Sequence, residues 1–300
     1  MTVTLLDGGM GRELARRGAP FRQPEWSALA LIEAPEHVQA VHRDFIRAGA
    51  RVVTTNSYAL VPFHLGEERF AADAGTLAAR AGRLARAAAT AAHDAGVAGV
   101  RVAGSLPPLF GSYRPDLFDA ARAQEVLAPL VAGLAEHVDV WLAETQSSIV
   151  EARTIRAGLP LDGKPFWLSF TLRDDDAGGP AVLRSGESVA DAAVAAVELG
   201  AAALLFNCSR PEVMGAALTE ARTAVERLGA QLELGVYANA FPPQPEDATA
   251  NDGLDELRED LDPVGYLAWA ERWQEQGAGL IGGCCGIGPE HLEALRDRLG

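Results

Sequence analysis

Gly282-Gly283-Cys284-Cys285-Gly286-Ile287-Gly288-Pro289 closes the last strand-to-helix turn of a 300-residue chain, and the remaining cysteine lies in Phe206-Asn207-Cys208-Ser209. Glycines permit the sharp bend that two adjacent cysteines need to face one way. Pro289 is a favoured first residue of a helix. The short apolar run 278–281 precedes the double-cysteine turn, and the run 201–206 precedes Asn207-Cys208. Both cysteine groups therefore follow a strand and open onto a helix. Whether they meet depends on how many such units the chain contains.

Working outward, short β-branched runs at 2–7, 51–56, 100–104, 138–143, 166–171, 201–206, 232–237 and 278–281 read as strands. Helical patterning covers 35–49, 69–94, 117–136, 188–200, 211–228, 264–276 and 289–299. Eight strands, seven of them followed by a helical segment, predict a (β/α)8 TIM barrel, a fold whose active sites lie at the carboxyl ends of the strands. Strands six and eight then deliver Cys208, Cys284 and Cys285 to the same face. An open doubly wound sheet also alternates strand and helix, but its switch-point crevice gives three sulfurs no reason to converge. No compositional break divides the chain, so residues 1–300 are expected to form one domain.

Composition narrows the function. The formal net charge is −15, and no cluster of Lys and Arg offers a footprint for phosphates, so a nucleic-acid partner is not expected. No apolar run reaches the roughly 20 residues of a membrane span, and the start of the chain lacks the pattern of a signal peptide. A cytoplasmic location is the expectation. Three cysteines, two of them adjacent, make a poor disulfide framework and a good set of metal ligands in a reducing compartment. The sequence leaves the oligomeric state open.

Three thiolates suit Zn²⁺, and a catalytic zinc keeps its fourth position open. An anionic three-sulfur zinc is a weak Lewis acid toward water and better suited to holding a substrate thiol as a nucleophile. S-alkylation is the chemistry that follows. The turn is also compatible with buried cysteines acting as small apolar side chains, or with a glycine-rich phosphate cradle before the final helix. The phosphate cradle accounts for the glycines and ignores the sulfurs.

Asp7-Gly8-Gly9-Met10-Gly11 with Glu13-Leu14, Trp26-Ser27, Thr55-x-Ser57-Tyr58, Asn207-Cys208 and Gly282-Gly283-Cys284-Cys285-Gly286-x-Gly288-Pro289-x-His291 run from the first strand to the last helix. Together they resemble the zinc-dependent homocysteine S-methyltransferases. The resemblance implies a barrel whose zinc is held by Cys208, Cys284 and Cys285 and which transfers a methyl group to the sulfur of homocysteine. It also implies that Glu144 and Asp7-Gly8 grip the ammonium and backbone of the amino acid, with help from Thr55. Independently of the resemblance, Asp7 and Glu144 fall at the ends of strands one and four, on the cysteine face. Asn239, after strand seven, is a candidate further ligand or a turn residue. His291 belongs to the last helix rather than to the metal.

The expected partners are a small thiol acceptor and a cationic methyl donor: S-methylmethionine, S-adenosylmethionine or betaine. Aromatic faces suit such cations, and Trp26, Tyr58, Phe110 and Tyr113 lie near strand ends. Thr145-Gln146-Ser147 after Glu144, and Tyr237-Ala238-Asn239-Ala240, depart from the family pattern at the substrate rim. Selenocysteine or another small thiol therefore stays open as acceptor, as does a non-catalytic zinc-binding or thiol-sensing barrel. The acidic stretch 241–263 is expected to be a long loop, either a lid over the rim or a solvated segment.

Overall fold

The computed structural model describes residues 2–175, 178–244 and 256–300. Eight strands run parallel: β1 (Thr4–Leu5), β2 (Val52–Thr54), β3 (Arg101–Leu106), β4 (Val140–Gln146), β5 (Phe166–Phe170), β6 (Ala203–Asn207), β7 (Glu233–Ala238) and β8 (Leu280–Gly283). Their order is β1-β8-β7-β6-β5-β4-β3-β2. A parallel bridge between Leu6 and Val52 joins the two ends of that order. The eight-stranded barrel expected from the sequence is thus the observed fold.

Helices cover the outside: α1 (Met10–Arg16), α2 (Ser27–Glu33), α3 (Pro35–Ala48), α4 (Pro62–Leu65), α5 (Glu67–Asp94), α6 (Ala123–Leu134), α7 (Ile149–Gly158), α8 (Val189–Glu198), α9 (Pro211–Arg227), α10 (Pro263–Glu275) and α11 (Pro289–Leu299). Strands covered on both faces must be apolar throughout, and every residue of β5 and β6 is buried. Alternation sorts their side chains into two layers. Val140 and Leu142 from β4 and Ala203 and Leu205 from β6 join Leu6, Trp167 and Leu280 in the barrel interior. Leu204 and Phe206 point the other way and join the helix-facing core.

Helices α1, α2 and α4 fall outside the helical segments expected from the sequence, and other segments differ from it in detail. The helix expected over 117–136 starts at Ala123, because Pro115–Leu117 is a 3-10 turn. Helix α7 falls outside the expected helical segments, although the Ser148 side chain caps it by accepting from Glu151 N, a Ser-x-x-Glu signature. Glu144 lies inside β4 rather than beyond it, and the β4–β5 register shifts between Ala143 and Gln146. Such a bulge re-aims side chains. The acidic stretch 241–263 is described at its ends only, where Glu259–Leu261 forms a 3-10 turn; its middle, 245–255, lies outside the described residues, and with it the choice between a lid and a solvated segment.

Candidate active site

The carboxyl ends of β6 and β8 bring the three sulfurs together, all within 4.8 Å of one another. Cys284 Sγ lies 3.1 Å from Cys208 Sγ. Backbone hydrogen bonds hold the turn: Cys284 N donates to Ala238 O at 2.8 Å, and Ala240 N to Cys285 O at 2.9 Å. Gly9 presses on the same turn so closely that a Cβ there would meet Cys284 O at 2.6 Å. On the other side Cys208 takes a φ of 54°, and Tyr113 Oη lies 2.9 Å from its sulfur.

The donor set is purely sulfur, which suits a soft or borderline ion such as Zn²⁺. Its electrostatics fit the same conclusion. Cys284 is pushed well above the ordinary thiol range by its hydrogen bonds with Cys208 and Cys285 and by burial. Cys285 is pulled well below it by hydrogen bonds from Cys208 and Cys284. Opposite shifts on adjacent sulfurs show that the three thiols do not ionise independently, and a divalent cation bound among them would take the place of their protons.

Beside the sulfurs is a cavity of about 430 Å³ lined by Asp7, Gly8, Trp26, Thr55, Glu144, Cys208, Cys284 and Cys285. Asp7 accepts from Thr54 N at 2.7 Å and from Thr54 Oγ1 at 3.0 Å. Burial nevertheless raises it to about 7 against those bonds. Glu144 accepts from the Ser105 hydroxyl and, at 3.4 Å, from Tyr237 Oη. Burial raises it to about 7 as well, with the Ser105 bond opposing. Thr55 Oγ1 is engaged within the wall, 2.8 Å from Ser57 Oγ and accepting from Ser105 N at 3.0 Å.

Asn239 is elsewhere. It does not line the cavity; it is buried, and its Oδ1 accepts from Phe241 N at 3.2 Å, closing a turn. His291 stays in the last helix, where Nδ1 accepts from Gly288 N at 3.1 Å and Nε2 lies 3.0 Å from Leu261 O. Of the four aromatic candidates, Trp26, Tyr58 and Tyr113 line the cavity. Phe110 does not, and packs edge-on against Phe118 at 5.9 Å.

The structure adds wall residues that the sequence did not single out, Phe21, Trp167, Phe241 and Arg12, and places Tyr237 of the strand-seven end in the same wall. The Arg12 guanidinium lies 5.5 Å from the Phe241 ring centroid. Behind the wall Asn207 ties the β4 bulge to the Asn-Cys turn. Its Oδ1 accepts from Thr145 N at 3.0 Å and Ser169 Oγ at 2.7 Å, while Nδ2 donates to Thr145 Oγ1 at 2.8 Å. Among the described residues, the non-glycine positions with φ between 49° and 67° are Trp26, Tyr113, Thr145 and Cys208. All four line the cavity, and backbone strain of this kind concentrates at functional sites.

A TIM barrel whose carboxyl-end cavity gathers three thiols and two buried carboxylates is built as an enzyme for small molecules, with chemistry centred on sulfur or on a metal that sulfur holds. The chain belongs to the homocysteine S-methyltransferase family, whose model matches residues 4–299. It is 31% identical to the homocysteine S-methyltransferase of Escherichia coli K12, an alignment that covers 99% of this chain and 95% of the relative. The metallated crystal structure of the Escherichia coli homocysteine methyltransferase MmuM superposes with a TM-score of 0.79 at 30% identity, covering 99% of this chain and 96% of that one. A selenocysteine Se-methyltransferase of Brassica oleracea var. italica is 25% identical over 98% of this chain and 88% of the relative. No helix among the described residues is long and apolar enough to cross a membrane.

Proposed function

We propose that this protein is a zinc-dependent enzyme that moves a methyl group from an onium donor (S-methylmethionine, S-adenosylmethionine or betaine) to homocysteine, giving methionine. The observation that carries the proposal is the cavity shared by Cys208, Cys284 and Cys285 with the carboxylates of Asp7 and Glu144. One group of side chains suits a metal and a thiol, the other an α-ammonium. Cys208, Cys284 and Cys285 would hold the zinc, which when bound supplies the positive charge that lowers the pKa of a thiol within reach.

The chain's own residues do the remaining work. Glu144, steadied by Ser105 and Tyr237, faces the ammonium of the acceptor, and Asp7 stands beside it in the same wall. Gly8 lets the first strand end pack against the last turn, since a Cβ there would run into Ile287 O and lie 2.9 Å from Phe45. Trp26 and Tyr58 line the cavity with aromatic rings suited to the onium, and desolvated cation–π contacts reach about 2 kcal/mol. Arg12 gives the wall a positive charge matched to a substrate carboxylate. In the transfer a new S–CH₃ bond forms as the methyl–onium bond breaks in line. The electron pair leaves with the donor, which becomes neutral, and the acceptor's thiol proton goes to solvent. Thiolate and onium charges cancel on the way, so a buried, weakly polar cavity favours the transition state.

The test is direct. Purified, zinc-loaded protein is incubated with homocysteine and each of the three donors in turn while methionine is followed. One donor is expected to give methionine, and a chelator to stop it; no methionine from any donor removes the proposal. The selenocysteine-methylating relative favours a second acceptor class, and selenocysteine belongs in the same assay.

A further inference from the structure

Cys208 is held by a line of side chains that comes from outside the metal-binding set. Tyr113, in the loop between β3 and α6, places Oη 2.9 Å from Cys208 Sγ and 3.3 Å from the Cys208 carbonyl oxygen. The Arg184 guanidinium lies 4.8 Å from the Tyr113 ring centroid. Behind it, Arg184 Nη2 donates to Asp174 Oδ1 at 3.0 Å, with side-chain exposures of 2% and 0%. Asp174 also accepts from the backbone N–H of Arg210 at 3.1 Å and of Gln244 at 3.0 Å. The loop carrying Asp174 and Arg184 is pinned by two antiparallel bridges, Leu172 to Leu183 and Val182 to Ser188.

Each link has a physical direction. A thiolate that ligates a metal has no proton to give, so in the metal-loaded protein a hydrogen bond across this 2.9 Å contact runs from the Tyr113 hydroxyl to the sulfur, which is nearer than the Cys208 carbonyl oxygen at 3.3 Å. A hydrogen bond to a thiolate draws electron density away from it and fixes the side chain's orientation. A guanidinium against the ring pulls density out of the phenol and makes its O–H a stronger donor. A fully buried ion pair stabilises little compared with an apolar pair of the same volume. What Asp174–Arg184 supplies is a planar cation at a fixed place. Tyr113 and Cys208 both hold positive φ, 67° and 54°, so both ends of the Tyr113–Cys208 hydrogen bond sit on backbone that the surroundings must impose.

We propose that Asp174, Arg184 and Tyr113 are positioning residues that orient and polarise the Cys208 sulfur, with Arg184 acting only through Tyr113. The proposal rests on Cys208 being a metal ligand, and its test separates the two ideas. Cobalt(II) is loaded into the wild type, Tyr113→Phe, the pair Asp174→Asn with Arg184→Gln, and the combination of all three substitutions. Tyr113→Phe keeps the ring, and the double substitution keeps a hydrogen-bonded but uncharged pair, so that each variant retains the packing.

The sulfur-to-metal charge-transfer band of Tyr113→Phe is expected at lower energy than in the wild type. Chelator competition is expected to show metal affinity weaker by about 10-fold or more, the range seen when outer-shell partners are removed. The double substitution should shift the band the same way by less, and shift it no further once Tyr113 is Phe. An unmoved band in Tyr113→Phe overturns the proposal. An equal shift from the double substitution with and without the tyrosine hydroxyl overturns the claim that Arg184 acts through it. A wild type that takes up neither cobalt nor zinc overturns the metal assignment itself.

Discussion

Replacing Glu144 by Gln tests how the acceptor is held. The amide keeps one oxygen for the Ser105 hydroxyl, which donates to Oε1, while its NH₂ takes the place of the Oε2 that accepts the longer bond from Tyr237, whose hydroxyl can accept instead; the main change is the loss of the charge. Breaking a buried ion pair by neutralising one partner costs about 3–5 kcal/mol. Asp7 shares the cavity, so the lower end applies, and KM for homocysteine should rise roughly 10²-fold at pH 8. The size of the effect must then depend on pH. Burial raises Glu144 to about 7, so its charged form is lost as pH falls through that value, and below it the wild type comes to resemble the variant. Each pH unit below about 7 should cut the ratio of the two KM values about tenfold, until it nears unity at about pH 5. Ionisation of the substrate thiol and of Asp7 affects both proteins and largely cancels in the ratio. Initial rates of methionine formation against homocysteine concentration, from pH 5 to 8 in both proteins, measure it. A ratio near one at pH 8, or one that stays constant with pH, refutes the reasoning.

Four further outcomes are expected. Cys208→Ser removes one of three converging sulfurs and should abolish stoichiometric zinc by metal analysis, while thermal unfolding stays cooperative. Trp26→Ala should raise KM for the onium donor about 5- to 30-fold through the loss of 1–2 kcal/mol of cation–π attraction, with KM for homocysteine unchanged in the same rate measurements. Gly9→Ala puts a Cβ 2.6 Å from Cys284 O, and urea unfolding should show a loss of about 1–3 kcal/mol from overpacking, accompanied by weaker zinc binding. Glu151 is raised by burial from 4.5 to about 7 despite the Ser147 N–H that it accepts. The folded state therefore holds a proton that the unfolded state has lost, and stability falls as pH rises from about 4.5 to about 7; Glu151→Gln should remove its share of that slope, leaving the shares of Asp7 and Glu144, and gain up to about 3 kcal/mol at pH 8.

The barrel was legible because a parallel strand buried on both faces must be a short unbroken apolar run, and eight such runs stand between helical segments. The three sulfurs were legible for a different reason: glycines around adjacent cysteines and an Asn-Cys at another strand end are an uncommon combination. What supports the site was not. Ser105 and Tyr237, which hold Glu144, sit within strands β3 and β7, where nothing in the sequence separates a supporting hydroxyl from any other strand residue. Asp174 and Arg184 lie in a polar loop, yet both are buried where that loop pairs through Leu172 and Leu183. Asn239 is a candidate by sequence because it follows β7, yet being next to the rim in sequence does not decide whether a side chain points into the cavity or back into its own turn.

The least legible feature is also the one that locates the site most sharply. Nothing in Trp26, Tyr113, Thr145 or Cys208 announces a positive φ, and a side chain in the left-handed region costs about 1–2 kcal/mol. A chain that only had to fold would place glycine there. Here the side chains are the ones the cavity uses, so the conformation is imposed from outside: Thr145 by its two hydrogen bonds with Asn207, and Cys208 by Tyr113 and by its own N–H to Tyr237 O at 3.3 Å. Local preference and global fold conflict at these positions and agree across the barrel's strands, and a conflict kept in place by several independent hydrogen bonds is the signature of a functional constraint. The bulge in β4 follows from the same logic. Alternation from Val140 and Leu142 already aims Glu144 inward, and the extra residue between Ala143 and Gln146 accommodates the positive φ of Thr145 while the strand returns to register with Phe170.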